Sequence, residues 1–168
     1  RRLVGRDVAH LHWANTLTLT PNTLGLIPII IGNPPYAGVS SNRDFKELVA
    51  PYYQYQGQPI NERKTWLQDD YVKFFRWAQK HVEASGVGVV AFVTPHGFLD
   101  NPTFRGMRES LMKTFTHIDI IDLHGNANRR ERTPSGATDK NVFPIRQGVS
   151  VSVLTRAGHD AACTIRYG

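Results

Sequence analysis

The stretch Ile27-Pro28-Ile29-Ile30-Ile31-Gly32-Asn33-Pro34-Pro35-Tyr36 decides how the rest of this chain is interpreted. Its apolar part predicts a buried strand over residues 27–31. A strand that ends in Gly and then two prolines stops pairing there, so the next side chains project from the carboxyl edge of the sheet. Ligands bind at that edge in open α/β sheets. We therefore expect Asn33 and Tyr36 to belong to a binding site.

The side chains of Asn33 and Tyr36 suit a planar heterocycle that carries an amino group. The Asn amide offers two N–H donors and a carbonyl acceptor, and the Tyr ring offers a flat apolar face with a polar tip. The alternative is a proline-stiffened turn without any chemistry. The strand in front of the motif favours the binding site, because a strand end is where such side chains converge.

Composition indicates one globular domain with a polyanionic partner. The chain has 168 residues, of which 40% are hydrophobic and 20% charged, enough for a single core. A formal net charge of +6 fits a nucleic-acid partner, since Lys and Arg that neutralise phosphates release condensed counterions. The single Cys163 excludes an internal disulfide framework or a cysteine zinc cluster, and we expect no metal site. Neither a membrane span nor a signal peptide is visible, so we expect a cytoplasmic protein without a membrane partner.

Hydrophobic periodicity predicts alternating strands and helices. A loosely alternating segment over residues 8–19 predicts a strand that ends near Asn15. Helical spacing predicts helices over residues 66–84 and 103–113. Further strands are predicted over residues 88–94, 117–123, 149–155 and 164–167, the last two joined by a turn through Gly158. Residues 37–64 are predicted to form a mobile loop with at most a short helix over residues 44–50, and residues 125–140 a flexible basic loop. This order predicts an α/β sheet whose last strands turn antiparallel.

From about residue 14 to its end, the chain resembles the gamma group of N6-adenine DNA methyltransferases, including those embedded in single-chain restriction-modification enzymes. Asn33-Pro34-Pro35-Tyr36 matches the catalytic motif of that family, and Asn141-Val142-Phe143-Pro144 resembles its late motif. The resemblance implies part of a Rossmann-like methyltransferase sheet with helices on its faces. It also implies transfer of a methyl group from S-adenosylmethionine to adenine N6 in double-stranded DNA.

The resemblance assigns catalytic roles to Asn33, Pro34 and Tyr36. The Asn33 side-chain carbonyl and the main-chain carbonyl of Pro34 would hold the amino hydrogens of the target adenine. Tyr36 would stack on that base after it leaves the duplex, and Phe143 would contact it from another side. Phe143 has a plainer interpretation as a core residue at a strand start.

Cofactor contacts follow from the same resemblance for Asn15, Asn33 and Phe74. Asn15 stands where the family usually has an Asp at a strand end, so its amide oxygen would be an uncharged acceptor for the cofactor amino group. Phe74 would pack against the cofactor adenine, and its neighbour Phe75 is the alternative. Both aromatic residues also fit the apolar face of a helix.

Contacts with DNA phosphates are expected from the basic segment that carries Arg129, Arg130 and Arg132, although such charge runs are often only solvated surface. His96 follows the strand over residues 88–94, and we interpret it as a structural or DNA-contacting residue, since the family's reaction does not depend on a histidine there.

The chain departs from the family pattern at the cofactor site. It contains neither the Gly-rich turn after a first strand nor the acidic residue for the ribose hydroxyls, and it has no room for a target-recognition domain. We therefore expect residues 1–168 to be the carboxyl-terminal part of one methyltransferase catalytic domain, inactive alone and completed by a larger parent polypeptide. Alternatives are a methyltransferase acting on RNA adenine or protein glutamine, and a non-catalytic DNA-binding fragment.

Overall fold

The computed structural model of the protein describes residues 16–20, 27–36, 38, 40–158 and 161–168. Its strands are β1 (Ile29–Gly32), β2 (Gln54–Tyr55), β3 (Gln58–Pro59), β4 (Val87–Pro95), β5 (His117–Asp122), β6 (Val149–Ala157) and β7 (Thr164–Tyr167). Its α-helices are α1 (Asp70–Ser85), α2 (Gly97–Asp100) and α3 (Arg105–Thr114). Short 3-10 segments cover Thr16–Thr18, Arg43–Tyr53, Thr65–Gln68 and Pro102–Phe104.

Five of these strands form one mixed sheet in the order β1-β4-β6-β5-β7. β1 is parallel to β4, β6 is antiparallel to both β4 and β5, and β7 is parallel to β5. Strand, helix and strand therefore alternate up to β5. The sequence predicts that the last strands turn antiparallel, and this holds for β6, in the middle of the sheet, but not for β7, which is parallel to β5. The α/β architecture is confirmed.

Helix α1 forms the centre of the core. It begins after Asp69 and ends at Gly86, whose φ of 76° places it in the left-handed region that favours glycine. Phe75 of α1 is 1% exposed, and its ring lies 5.2 Å from the rings of both Phe92 and Phe98. The contact with Phe92 packs α1 against β4, so the helix covers the face of the sheet that carries Phe92.

The strand before the Asn-Pro-Pro-Tyr motif is less buried than the sequence predicts. Within the described residues, β1 pairs only with β4, and the side chains of Ile29 and Ile31 are 70% and 78% exposed. An apolar run predicts burial on both faces of a strand, but Ile29 and Ile31 point to the same face of the sheet, and no described part of the chain covers that face here. The prediction of a buried strand over residues 27–31 was therefore wrong about its burial, although its carboxyl end is where we expected it.

Three other segments differ from the sequence predictions. Thr16–Thr18, near the end of the strand predicted over residues 8–19, forms a 3-10 turn, and residues 8–15 of that strand lie outside the described residues. In the loop predicted over residues 37–64, the short helix expected over residues 44–50 is present as the longer segment Arg43–Tyr53, whereas the β2–β3 hairpin was not predicted. β6 and β7 are not neighbours, because β5 lies between them.

No helix in the described part of the chain has both the length and the apolar character that a bilayer crossing requires.

Gly106 sets the distance between α3 and the Arg43–Tyr53 segment. A Cβ atom at this position would lie 2.3 Å from the main-chain oxygens of both Tyr52 and Gln54. We expect Gly106→Ala to lower the free energy of unfolding by about 1–3 kcal/mol, because neither backbone oxygen can move away cheaply. Urea denaturation measures this change. Gly97→Ala is the matched control, since a Cβ there meets nothing within 4 Å, and an equal loss in both variants would contradict the packing argument.

Candidate active site

Asn33 emerges at the carboxyl edge of the sheet, directly after Gly32 ends β1. Its side chain is exposed, whereas the next residue, Pro34, is buried and anchors the turn. Gly32 is level with Phe92, and β4 continues beyond that point to Pro95. The Asn33 amide is therefore presented beside the last residues of β4, in the position that the sequence predicts for a ligand-binding residue.

A cleft of about 430 Å³ opens at this point. Asn33, Pro34 and Pro35 form part of its wall, and α1 contributes Phe74 and Trp77. The structure separates the two candidate aromatics, because Phe74 lines this cleft and Phe75 is buried in the core. Asn33 and Phe74 are thus brought together, as expected for two residues that contact one ligand.

Tyr36 and Phe143 do not line this cleft. Tyr36 is half-buried and packs against the hydrophobic core. Phe143 is 37% exposed and lies in the segment before β6, where its main-chain N–H donates to Asn141 Oδ1 at 2.9 Å. The plainer interpretation of Phe143 as a core residue is therefore wrong, and its ring is available to a ligand. Asn15 lies outside the described residues, but its neighbour Thr16 lines the cleft.

The loop after the motif is anchored to the amino end of α1 by two acidic side chains. Gly38 N–H donates to Asp69 Oδ2 at 3.1 Å. Asp70 accepts from the Ser41 hydroxyl at 2.7 Å and from the Ser41 N–H at 3.1 Å, and the Ser40 hydroxyl also donates to it. These bonds hold the chain on the far side of Tyr36 against a rigid helix.

Lys73 completes this anchor from one turn further along α1. It is 0% exposed as a residue, and its ammonium donates to Ser40 Oγ at 2.6 Å and to the Asn42 carbonyl at 2.7 Å. Burial lowers the pKa of Lys73 below its ordinary value, and the nearby Asp70 carboxylate opposes that shift. For Asp70, burial raises the pKa, but hydrogen bonds from Ser40 and Ser41 outweigh it and hold the pKa below its usual range.

The three arginines of the basic loop have different surroundings. Arg129 forms an ion pair with Asp100 at 2.7 Å, and Arg132 donates to the main-chain oxygen of Gly136 at 2.8 Å. Arg130 is exposed and has a φ of 53°. None of the three lines the cleft beside Asn33. Arg129 instead lines a second, largely apolar cavity of about 330 Å³ between α3 and β5, together with His96.

His96 is buried at 4% exposure, directly after β4. Its ring nitrogens face Asp122 and Asn126, so the structure supports the structural interpretation of His96 and not a direct contact with DNA.

Sequence reasoning missed the anchor formed by Asp69, Asp70 and Lys73. Two adjacent acidic residues at the start of a helix are a visible signal, because they suit the positive end of the helix dipole. Their partners in the motif loop are 29 to 31 positions away in sequence, and no periodic pattern identifies such partners.

Replacing Asp70 tests this anchor. Because the folded-state pKa lies below the unfolded value of about 3.9, the ionised carboxylate stabilises the fold above that value, and its contribution is lost as the pH falls through the folded-state pKa. We expect Asp70→Asn to lower the free energy of unfolding by about 1–3 kcal/mol at pH 7 and by less below about pH 4. Denaturant titrations at both pH values check this, with the exposed Asp44→Asn as control. A difference that does not vary with pH would contradict the role of the charge.

Comparisons with solved structures return enzymes much longer than this chain. It is 28% identical to the ATP-dependent Type ISP restriction-modification enzyme LlaBIII bound to DNA, with a TM-score of 0.66 over 83% of this chain. It is 35% identical to DrdV in a DNA complex, with a TM-score of 0.65 over 83%. It is 25% identical to a nuclease-deletion mutant of the Type ISP enzyme LlaGI, with a TM-score of 0.64 over 83%. The chain spans 10%, 14% and 12% of those proteins, respectively.

A search of the curated proteins finds no match. The model of the Eco57I restriction-modification methylase family matches residues 10–128, more than half of the chain and the part that contains Asn33, α1 and β4. The sheet is accordingly part of a Rossmann-like methyltransferase fold, as in the Type ISP enzymes. With the motif at the sheet edge and the cleft beside it, the chain belongs to the Eco57I restriction-modification methylase family.

Proposed function

We propose that this chain carries the catalytic part of a DNA methyltransferase that methylates adenine at N6, within a longer restriction-modification polypeptide. The observation that supports this most is the exposed Asn33 amide at the edge of the sheet, on the same cleft as Phe74. The family membership supports methylation of DNA, and the identity of the Asn-Pro-Pro-Tyr motif supports an amino nitrogen as the methyl acceptor.

Asn33 and Pro34 act on the amino group of the base. The lone pair of adenine N6 is delocalised into the ring, so methylation requires acceptors that hold both amino hydrogens while the nitrogen becomes more tetrahedral. Asn33 Oδ1 and the main-chain oxygen of Pro34 supply them. Proline suits this position because its φ is fixed and it has no N–H to compete. Neither group removes a proton before the methyl transfer, and both lower the barrier by oriented dipoles.

The cleft beside Asn33 fits S-adenosylmethionine in size and lining. Its volume of about 430 Å³ is within the range of small-molecule sites, roughly 300–1,000 Å³. Phe74 and Trp77 give one wall the flat apolar surface that an adenine ring prefers, and Asn15 would contact the amino group of that ring. When bound, the cofactor supplies a methyl group on a positively charged sulfur.

Tyr36 and Phe143 would hold the extruded adenine. Base stacking on an aromatic ring contributes roughly 1–3 kcal/mol, which offsets part of the stacking lost when the base leaves the duplex. The 37% exposure of Phe143, in a segment without core contacts, supports its role as a ligand contact.

Double-stranded DNA is the proposed substrate. A net charge of +6 supports a polyanionic partner, and LlaBIII and DrdV are described as complexes with DNA. Arg130 and Arg132 are the stronger candidates for phosphate contacts, because part of the Arg129 charge is neutralised by Asp100.

Replacing Asn33 in the parent enzyme tests the proposal. We expect Asn33→Ala to reduce the rate of methyl transfer to DNA by about 10²- to 10³-fold, as for the loss of one oriented transition-state contact, with the affinity for DNA nearly unchanged. Labelled methyl incorporation and a DNA-binding assay measure the two effects. Asn61→Ala, at an exposed position away from the cleft, is the matched control.

Full methylation by the Asn33→Ala parent would remove the catalytic assignment and favour a non-catalytic DNA-binding role. Transfer to RNA or to a glutamine-containing peptide, with none to DNA, would instead move the same chemistry to another substrate class.

The isolated chain is expected to bind S-adenosylmethionine weakly and to be inactive. Within the described residues the cleft runs along β1, where Ile29 and Ile31 remain exposed, so a ligand there would be only partly enclosed. A titration of residues 1–168 with labelled cofactor checks this, with the parent enzyme as control. Equal affinities for the two proteins would contradict the incomplete cleft.

A further inference from the structure

The buried imidazole of His96 joins three segments of the chain at the carboxyl edge of the sheet. Its Nδ1 lies 3.1 Å and 3.2 Å from the two carboxylate oxygens of Asp122, at the end of β5. Its Nε2 lies 2.8 Å from Asn126 Nδ2. Its main-chain N–H donates to the Gly148 carbonyl at 3.0 Å.

The orientation of the Asn126 amide is fixed by its other contacts. Asn126 Oδ1 accepts from the main-chain N–H groups of Asn128 at 3.0 Å and Arg129 at 3.2 Å, so this atom must be the oxygen. The amide nitrogen therefore faces His96, and His96 Nε2 must accept from it. It follows that Nδ1 carries the hydrogen and donates to Asp122, which sets a single tautomer of the neutral ring.

Both ends of the segment over residues 125–148 meet this ring. Asn126 is bonded to it near the start of the segment. At the other end, Gly148 packs so closely that a Cβ there would lie 2.3 Å from His96 Cε1. The segment between them, which we call the 125–148 loop, carries the three arginines and Phe143. Apart from the isolated Arg132–Thr138 bridge, it contains no strand or α-helix of its own.

We propose that His96 is a positioning residue, which fixes the 125–148 loop against the end of β4 through the Nε2–Asn126 hydrogen bond and so sets the position of Phe143 and of Arg130 and Arg132. The expected effect of this loop position on DNA binding rests on the proposed function. The ring does not touch the substrate. It acts through Asn126, whose oxygen in turn orders the main chain at Asn128 and Arg129.

Two substitutions separate the ring contacts. His96→Gln places an amide oxygen near the position of Nε2 and can still accept from Asn126. His96→Asn places an amide nitrogen near the position of Nδ1 and retains only the bond to Asp122. Glutamine also fills more of the space of the ring than asparagine does, so His96→Met controls for volume: methionine is close to glutamine in size but offers no nitrogen or oxygen acceptor, and it should lose protection as His96→Asn does.

Amide hydrogen exchange in residues 1–168 measures the effect on the loop. We expect the protection of the Asn128 and Arg129 amides to fall roughly tenfold in His96→Asn and to stay within about twofold of the wild type in His96→Gln. Amides of α1 serve as the internal control for global stability. Unchanged protection in His96→Asn, or an equal loss in both variants, would overturn the proposal.

If His96→Asn does not fold, Asn126→Ser replaces it. A serine hydroxyl can still accept from the two main-chain amides but is too short to reach the ring. Faster tryptic cleavage after Arg130 and Arg132 than in the wild type supports the proposal, and an unchanged cleavage rate overturns it.

The parent enzyme gives the functional measurement. We expect His96→Asn to raise the KM for DNA roughly tenfold with a smaller change in kcat, and His96→Gln to restore the wild-type KM, because the loop would contact DNA and not the methyl donor. Loss of kcat alone in His96→Asn would overturn the functional part. If the exchange result holds while the wild-type parent methylates no DNA, the proposed function fails and the loop anchor stands.

Discussion

The pairing of β4 on both of its sides is the constraint on which the rest of the structure depends. β4 pairs in parallel with β1 over 4 residues and in antiparallel fashion with β6 along all 9 of its own residues. Because β1 stops level with Phe92 and β4 continues to Pro95, Asn33 leaves the sheet beside β4. His96 leaves it at the same carboxyl edge. The pairing of β4 thus places the motif and His96 at the same edge of the sheet. α1 packs against one face of β4 through Phe75.

Two loops at this edge are held by buried polar networks rather than by secondary structure of their own. The motif loop is bonded to Asp69, Asp70 and Lys73 of the α1 region, and the 125–148 loop is bonded to His96. Buried polar groups are costly unless each finds a partner, so a satisfied network specifies one loop position. This arrangement places the candidate catalytic and binding residues on loops while their geometry is set by a helix and a strand.

The elements with a strong periodic pattern could be predicted from the sequence. α1, α3, β4 and β5 lie within a few residues of their predicted bounds, because each buries one regular face. Asn33 also lies where expected, since two prolines after Gly32 leave the backbone no way to continue pairing. The burial of β1 could not be predicted, because an apolar run does not reveal which elements cover the faces of the strand. The parallel pairing of β7 with β5 depends equally on contacts that are distant in sequence.

The candidate site could likewise be predicted from the sequence only in part. The strand-end pattern predicted a site at Asn33, and the family resemblance implied Phe74, but the sequence could not distinguish Phe74 from Phe75, because the choice depends on which side of α1 meets Phe92. The central claim is that Asn33 acts on an amino group of adenine. Mass spectrometry of nucleosides from duplex DNA incubated with the parent enzyme and S-adenosylmethionine tests it most directly, and N6-methyl-2′-deoxyadenosine is the product expected. 5-Methyl-2′-deoxycytidine as the product would contradict it, because a ring carbon has no amino hydrogens for Asn33 to hold.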